Sequence, residues 1–314
     1  MKTNKVLDFF NEQKIFVVII LIAIILTIKT TYFISFTNII NILMFISIEG
    51  IIVIGMTYLI ILKELDLSIG STMALSGVLA IYLQKYGIFV GIISGLLLGM
   101  AVGLLNGFLV TKLKLTSIAV TLGTMVMLNG FVFAFTNSAT IKGTNKSFPL
   151  IANTTVFKIP IPIVVFLVLV IIFEIILKRT YFGRNIYAVG GNIIASKFFG
   201  IKVEMVRIAA FVLTGFLAGL AGVLLASKIN IASGRIGLNT AILVITAVLL
   251  GGVSLSGGEG SVFKAFQGML LIGILNNAMV ILQINDFIQD IIRGSILIII
   301  LIIAGVSINR AKYI

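Results

Sequence analysis

The chain has 314 residues, of which 60% are apolar and 11% charged, with a net charge of +13. A soluble domain holds about 45–50% apolar and about 25% charged residues, so this composition excludes a soluble globular protein and marks a polytopic membrane protein. Cys, His and Trp are all absent, which excludes thiolate nucleophiles, imidazole bases, Ser-His-Asp arrangements and Cys/His zinc sites.

The chain begins with a basic segment, "MKTNKVLDFFNEQK", followed by an apolar run over 15–28. No small-x-small cleavage motif follows, so the run is read as an uncleaved first span rather than a signal peptide. A span needs about 20 residues to cross a hydrocarbon core about 30 Å thick. Ten stretches meet that need: 15–34, 39–62, 67–84, 88–110, 116–136, 161–177, 208–227, 240–256, 264–282 and 291–308. The fold class expected is all-α, a multi-pass protein with about ten transmembrane helices. It forms one membrane domain over 1–314.

With ten spans and both termini inside, 15 of the 23 bases fall on the inner side and 8 outside. That bias predicts cytoplasmic termini. It also accounts for the net charge, so no nucleic-acid partner is expected. Residues 137–160 form a long loop predicted to lie outside. Residues 178–207 form a long inner loop with six bases against one acid, Glu204.

Two breaks interrupt the apolar pattern. In "KELDLSIGS" (63–71), Asp66 and Ser68 either cap the next span or belong to a gate, since acids among spans default to functional hypotheses. In "GGVSLSGGEGS" (251–261), Ser254 and Ser256 lie among five glycines. The turn is either a tight reversal or non-helical backbone lining the transport path. Its L-S-G-G-E string looks like the signature loop of an ATPase. No phosphate-binding loop of type G-x-x-x-x-G-K-[ST] accompanies it, so the chain is not itself a nucleotide-hydrolysing domain. It is not expected to be an enzyme, and no metal or cofactor is expected.

Within the inner loop, "GGNIIASKFFGI" predicts a short helix over 193–199, N-capped by Asn192 and closed by a left-handed Gly200. A short helix held off the membrane is a docking piece; the alternative is an inert helix lying on anionic lipid. Polar residues within spans are candidates for the translocation path or for gluing helices together: Glu49, Asn106, Thr121, Thr124, Asn129, Asn276 and Asn277.

These residues carry a resemblance. "LDLSIGS" (65–71), "NGFLVTKLKL" (106–115), "TLGTM" (121–125), "GRNIYAVGGN" (183–192), "GLAGVLLAS" (219–227), "GGVSLSGGEGS" (251–261) and "GILNNAMVIL" (273–282) run in order across nearly the whole chain. Together they resemble the permease subunits of ribose-type ABC sugar importers. The chain departs from that family at Lys63-Glu64-Leu65-Asp66, where Gly-Gly-Ile-Asp is usual.

The resemblance implies a permease that moves a monosaccharide inward by alternating access in a bacterial inner membrane. ATP is hydrolysed by two partner ABC ATPase subunits. A second permease copy, identical or related, completes the channel, and an extracytoplasmic substrate-binding protein delivers solute. It implies coupling to the ATPase through Gly183, Arg184, Asn185, Gly190, Gly191, Asn192, Ser196 and Gly200. The alternatives are an ABC permease for a nucleoside, an autoinducer or a branched-chain amino acid, or an ion-coupled secondary transporter.

Overall fold

The computed structural model describes residues 14–312. The basic N-terminal segment with Lys2 and Lys5 lies outside the described residues. In chain order the helices are α1 (Lys14–Lys29), α2 (Phe36–Ile61), α3 (Ile69–Leu83), α4 (Ile88–Lys112), α5 (Ser117–Thr136), α6 (Leu150–Asn153), α7 (Ile161–Arg179), α8 (Tyr181–Gly191), α9 (Ile193–Phe198), α10 (Val203–Ile229), α11 (Thr240–Leu250), α12 (Val262–Ile281) and α13 (Asp286–Lys312). A helix stands at each of the ten predicted span positions. Among the described residues six helices, α2, α4, α5, α7, α10 and α12, are long and apolar enough to cross a membrane. The protein is an all-α, multi-pass membrane protein.

The centre of the bundle is α2 with α10. Both are largely apolar around their circumference, as helices packed among others are, and the run Ile51–Ile61 of α2 is wholly buried. Against α10 packs α4, whose Gly95, Gly99, Gly103 and Gly107 recur every fourth residue on one face. A Cβ on any of them would meet α10 atoms, including the backbone of Gly215 and Phe211. Lipid offers no hydrophobic drive between helices, so close backbone approach through small residues supplies the packing.

The loops gather at two ends. At one end the break after α2 meets both the 251–261 turn, through Gly258 N donating to Ile61 O at 2.9 Å, and the 178–207 segment, through Lys63 Nζ donating to Gly191 O at 3.5 Å; there the end of α4 joins the same segment, Lys112 pairing with Glu204 at 2.5 Å. At the other end, Asn145 donates to Gln84 O at 3.5 Å and Asn153 to Lys228 O at 3.1 Å. There β1 (Ile141–Lys142) pairs antiparallel with β4 (Ile231–Ala232). A second ribbon joins β2 (Thr155–Val156) to β3 (Ile159–Pro160).

Among the described residues, three helices at predicted span positions are shorter than a full span: α1, α3 and α11, with 16, 15 and 11 residues, cover about 24, 22 and 16 Å at 1.5 Å per residue. The span expected over 240–256 stops at Leu250, and the glycine-rich turn 251–261 replaces its last part. The reason lies at its other end. Thr240 Oγ1 donates to Glu49 Oε1 at 3.3 Å, and Glu49 sits at the midpoint of the 26-residue α2. The stretch 230–239 therefore leaves the 137–160 end and dips to half depth before α11 begins. Gly237 makes the dip feasible. Its φ of +82° favours glycine, and a Cβ there would strike the backbone of Gly70 in α3.

The 178–207 loop also differs from expectation. Its first stem is helical: α8 follows α7 almost directly, with Thr180 Oγ1 accepting from Gly183 N at 3.2 Å. The short helix α9 ends at Phe198, one residue before the predicted end, and its cap is as read. Asn192 Oδ1 accepts from Ala195 N at 3.0 Å, and Gly200 has φ +77°.

Candidate functional site

Three groups of polar residues stand out. The first is the seam between the 178–207 segment and the two sequence breaks. Gly190 presses on the carbonyl of Ile61, which already accepts from Gly258 N. Lys63 Nζ donates to Gly191 O at 3.5 Å. Tyr187 Oη donates to Gly260 O at 2.7 Å. Burial, helped by the charge of Glu174, pushes the Tyr187 phenol up to about 12, so it stays a neutral donor near pH 7. Arg207 at the start of α10 ion-pairs with buried Glu64. Both breaks are thus bonded to the α8–α9 segment or its return. Ser254 and Ser256 lie in this seam, within the turn itself, where Ser254 Oγ accepts from Ser256 N at 3.2 Å.

Outward from the seam, Tyr181, Ile194, Phe198 and Phe199 are exposed, Phe198 by 87% and Phe199 by 86%. Arg184 stacks over the Tyr181 ring at 4.3 Å. Gly191, Asn192 and Gly200 are exposed beside them, Asn185 is half-buried, and Gly183 and Ser196 are buried.

The second group is a sealed network. Asp66 Oδ1 accepts from Ser68 Oγ at 2.6 Å and from Ser68 N at 2.8 Å. Asn106 of α4 donates to Ser68 Oγ at 2.9 Å and to Asp66 Oδ2 at 3.4 Å. Thr124 of α5 donates to Asn106 Oδ1 at 2.7 Å. The hydroxyls of Thr121 and Ser117 accept from Leu67 N and Leu65 N at 3.1 and 3.3 Å. Non-helical backbone within a bundle must find partners for its N–H groups, and α5 supplies them. Asp66, Ser68, Asn106, Thr121 and Thr124 are each at most 5% exposed.

The third group surrounds a cavity of about 270 Å³ at the start of α11, with Phe45, Glu49, Arg235, Asn239, Thr240 and Arg293 in its wall. Glu49 Oε1 takes the Thr240 hydroxyl, while Glu49 Oε2 is shut from solvent with no hydrogen-bond partner. Arg293 is already engaged, with Asp290 at 2.8 Å, Gln289 at 3.1 Å and Asn276. Asn239 donates to Asp290 at 3.2 Å and does not cap α11. The exposed guanidinium of Arg235 has no partner among the described residues.

Of the remaining path candidates, Asn277 forms a reciprocal amide pair with Asn38 at 2.7 and 3.0 Å, binding α12 to α2. Asn129 is half-buried on α5, apart from the other candidates.

Comparison with known proteins places the chain. The family described as branched-chain amino acid transport system / permease component matches residues 38–301. The chain belongs to this permease family. It is 38% identical to the ribose import permease of Bacillus subtilis (strain 168) over 301 residues, covering 95% of this chain and 92% of that protein. It is 36% identical to the L-arabinose transport system permease of Escherichia coli (strain K12) over 283 residues, 89% of this chain and 84% of that one. To the D-allose transport system permease of the same organism it is 32% identical over 298 residues, 94% and 90% of the two chains. No solved structure matches it. As a permease component the chain is not the ATP-hydrolysing subunit.

Sequence reading of this permease singled out Glu49 and Asn276 but not Arg235, Asn239, Thr240 or Arg293. Arg235 and Arg293 are two of the eight bases that the predicted topology assigns to the outer side. The signal that was available is "SGRIGLN" (233–239), whose serine, glycines and asparagine mark a third backbone break. Hydropathy places it in a loop between spans, because a window average does not separate a re-entrant stretch from an external one.

Proposed function

We propose that this permease is the membrane subunit of an ATP-driven importer of a monosaccharide. It works in a bacterial inner membrane with about ten spans and cytoplasmic termini. The sugar class is supported by the three relatives named above, each a permease for a pentose or hexose. Partner ABC ATPases dock on residues 183–200, a second permease copy completes the pathway, and an extracytoplasmic binding protein delivers solute at the 137–160 end.

The observation that carries the coupling part is the seam. A push on the exposed aromatic knob of α9 is transmitted through Gly190, Gly191 and Tyr187 to Ile61, Lys63 and Gly260. Those residues flank the breaks that precede α3 and α12. The break before α3 ends in the Asp66–Asn106 network, so α4 and α5 move with it. Non-helical segments bend where helices do not, and the half-helices between them are the moving parts.

The test is purification of the tagged chain from its host in mild detergent, with ATP hydrolysis assayed in the eluate. Co-purification of an ABC ATPase, lost in the double variant Phe198→Asp and Phe199→Asp, is the expected result. Recovery of the chain alone, even after crosslinking, would refute the reading.

A further inference from the structure

We propose that the cavity at the start of α11 is the solute site of this permease, holding a neutral polyhydroxylated molecule between Glu49 and Arg235. The proposal rests on the monosaccharide reading above and adds to it the residues that select the solute.

Four observations converge. First, the cavity lies at half depth, beside the midpoint of α2. Second, its wall includes residues 237–240, irregular backbone entering a half-helix. Within a membrane such backbone persists only where protein buries it or a cavity borders it. Third, α11 turns its N-terminus to the cavity with no side-chain cap. The positive end of the helix favours electron-rich oxygens there. Fourth, Glu49 Oε2 is buried and unpartnered, a state that costs free energy unless a ligand donor completes it.

The unused groups define the ligand. Glu49 Oε2 needs a donor, whereas Arg235 needs an acceptor. A hydroxyl is both donor and acceptor, so a polyol satisfies both of them without bringing net charge to half depth. Phe45 and Leu243 give a flat apolar wall for ring carbons. The volume of about 270 Å³ sits just below the range of about 300–1,000 Å³ typical of drug-sized ligands, which suits one small sugar. Arg293 is a positioning residue: with Asp290, Gln289 and Asn276 it fixes the α12–α13 side of the wall. A zwitterion would also meet one carboxylate and one guanidinium, so L-leucine is the competing probe.

The experiment measures uptake of labelled D-ribose, L-arabinose, D-allose and L-leucine by cells carrying the permease with its own ATPase and binding protein. Wild type is expected to take up at least one of the sugars and no leucine. Glu49→Gln and Arg235→Gln are expected to lower sugar uptake about tenfold or more, the loss of one charge-assisted hydrogen bond. They should also change the ratio among the transported sugars, which a folding defect would not do. Arg235 is exposed and unpartnered, so its replacement leaves membrane level and ATPase association intact. Sugar uptake at the wild-type rate and ratio in both variants overturns the site while leaving the monosaccharide reading standing. Uptake of leucine in place of sugar, or of none of the sugars, overturns that reading and the site with it.

Discussion

Gly190 lies against the carbonyl oxygen of Ile61, and the same oxygen accepts the Gly258 N–H at 2.9 Å. One backbone atom thus joins the end of α2, the end of α8 and the turn before α12. A Cβ at Gly190 has no room, whereas at Gly191 it would meet open space. Gly190→Ala is expected to cost on the order of 1–3 kcal/mol through overpacking and to depress ATP-driven uptake. Gly191→Ala should leave the melting temperature in detergent unchanged. Equal behaviour of the two variants would show that the seam is not a tight contact.

The Glu64–Arg207 pair joins the first break to the base of α10, with the side chains only 8% and 20% exposed. Removing one partner strands a buried charge, a loss of roughly 3–5 kcal/mol. Arg207→Met is therefore expected to lower the melting temperature sharply, and adding Glu64→Leu to restore much of it. The Lys112–Glu204 pair is about half exposed on both sides. Lys112→Ala should leave the melting temperature where it was, because solvent screens such a pair. A thermal-melt series of these variants reads both outcomes.

Asn106 bridges Asp66, Ser68 and Thr124 across three elements. Asn106→Leu leaves Asp66 Oδ2 and the Thr124 hydroxyl without their partner, each worth about 1–3 kcal/mol when buried. The variant should insert but melt early, and proteolysis should begin in the break 62–68. A melt within error of wild type would mean that the network does not hold the break.

Tyr187 supplies a pH signature. Its phenol is raised to about 12 in the folded protein against an ordinary 10, so the folded state holds this proton more tightly. Its contribution is complete below pH 10 and is lost as pH rises from about 10 toward 12. Comparing wild type with Tyr187→Phe over that interval isolates it. The wild-type melt should fall more steeply with alkali, and the two curves should run parallel from pH 6 to 9.

Much of the architecture was legible because a membrane imposes a simple rule. Backbone in hydrocarbon must be helical and its side chains apolar, so runs of about 20 apolar residues marked the helix positions. Local rules placed α9 as well: Asn192 caps it and Gly200 ends it, both acting within a few residues along the chain. Hydropathy averages over a window, however, and so ran α11 through to 256 and left the dip at 230–239 as an external loop.

What only the tertiary structure decided is which polar residues meet. Asp66 and Asn106 are 40 residues apart in sequence, and Glu49 and Thr240 are 191 apart. No periodicity links such pairs; the packing of α4 on α10 and the approach of Gly237 to Gly70 bring them together. From the sequence alone Glu49 and Asp66 were both acids in apolar surroundings. In the fold Asp66 finds Ser68 and Asn106 and is sealed, while Glu49 keeps one oxygen unpartnered in a cavity. That difference rests on where the neighbouring helices stand, which is set by close packing in three dimensions and not by the local chain.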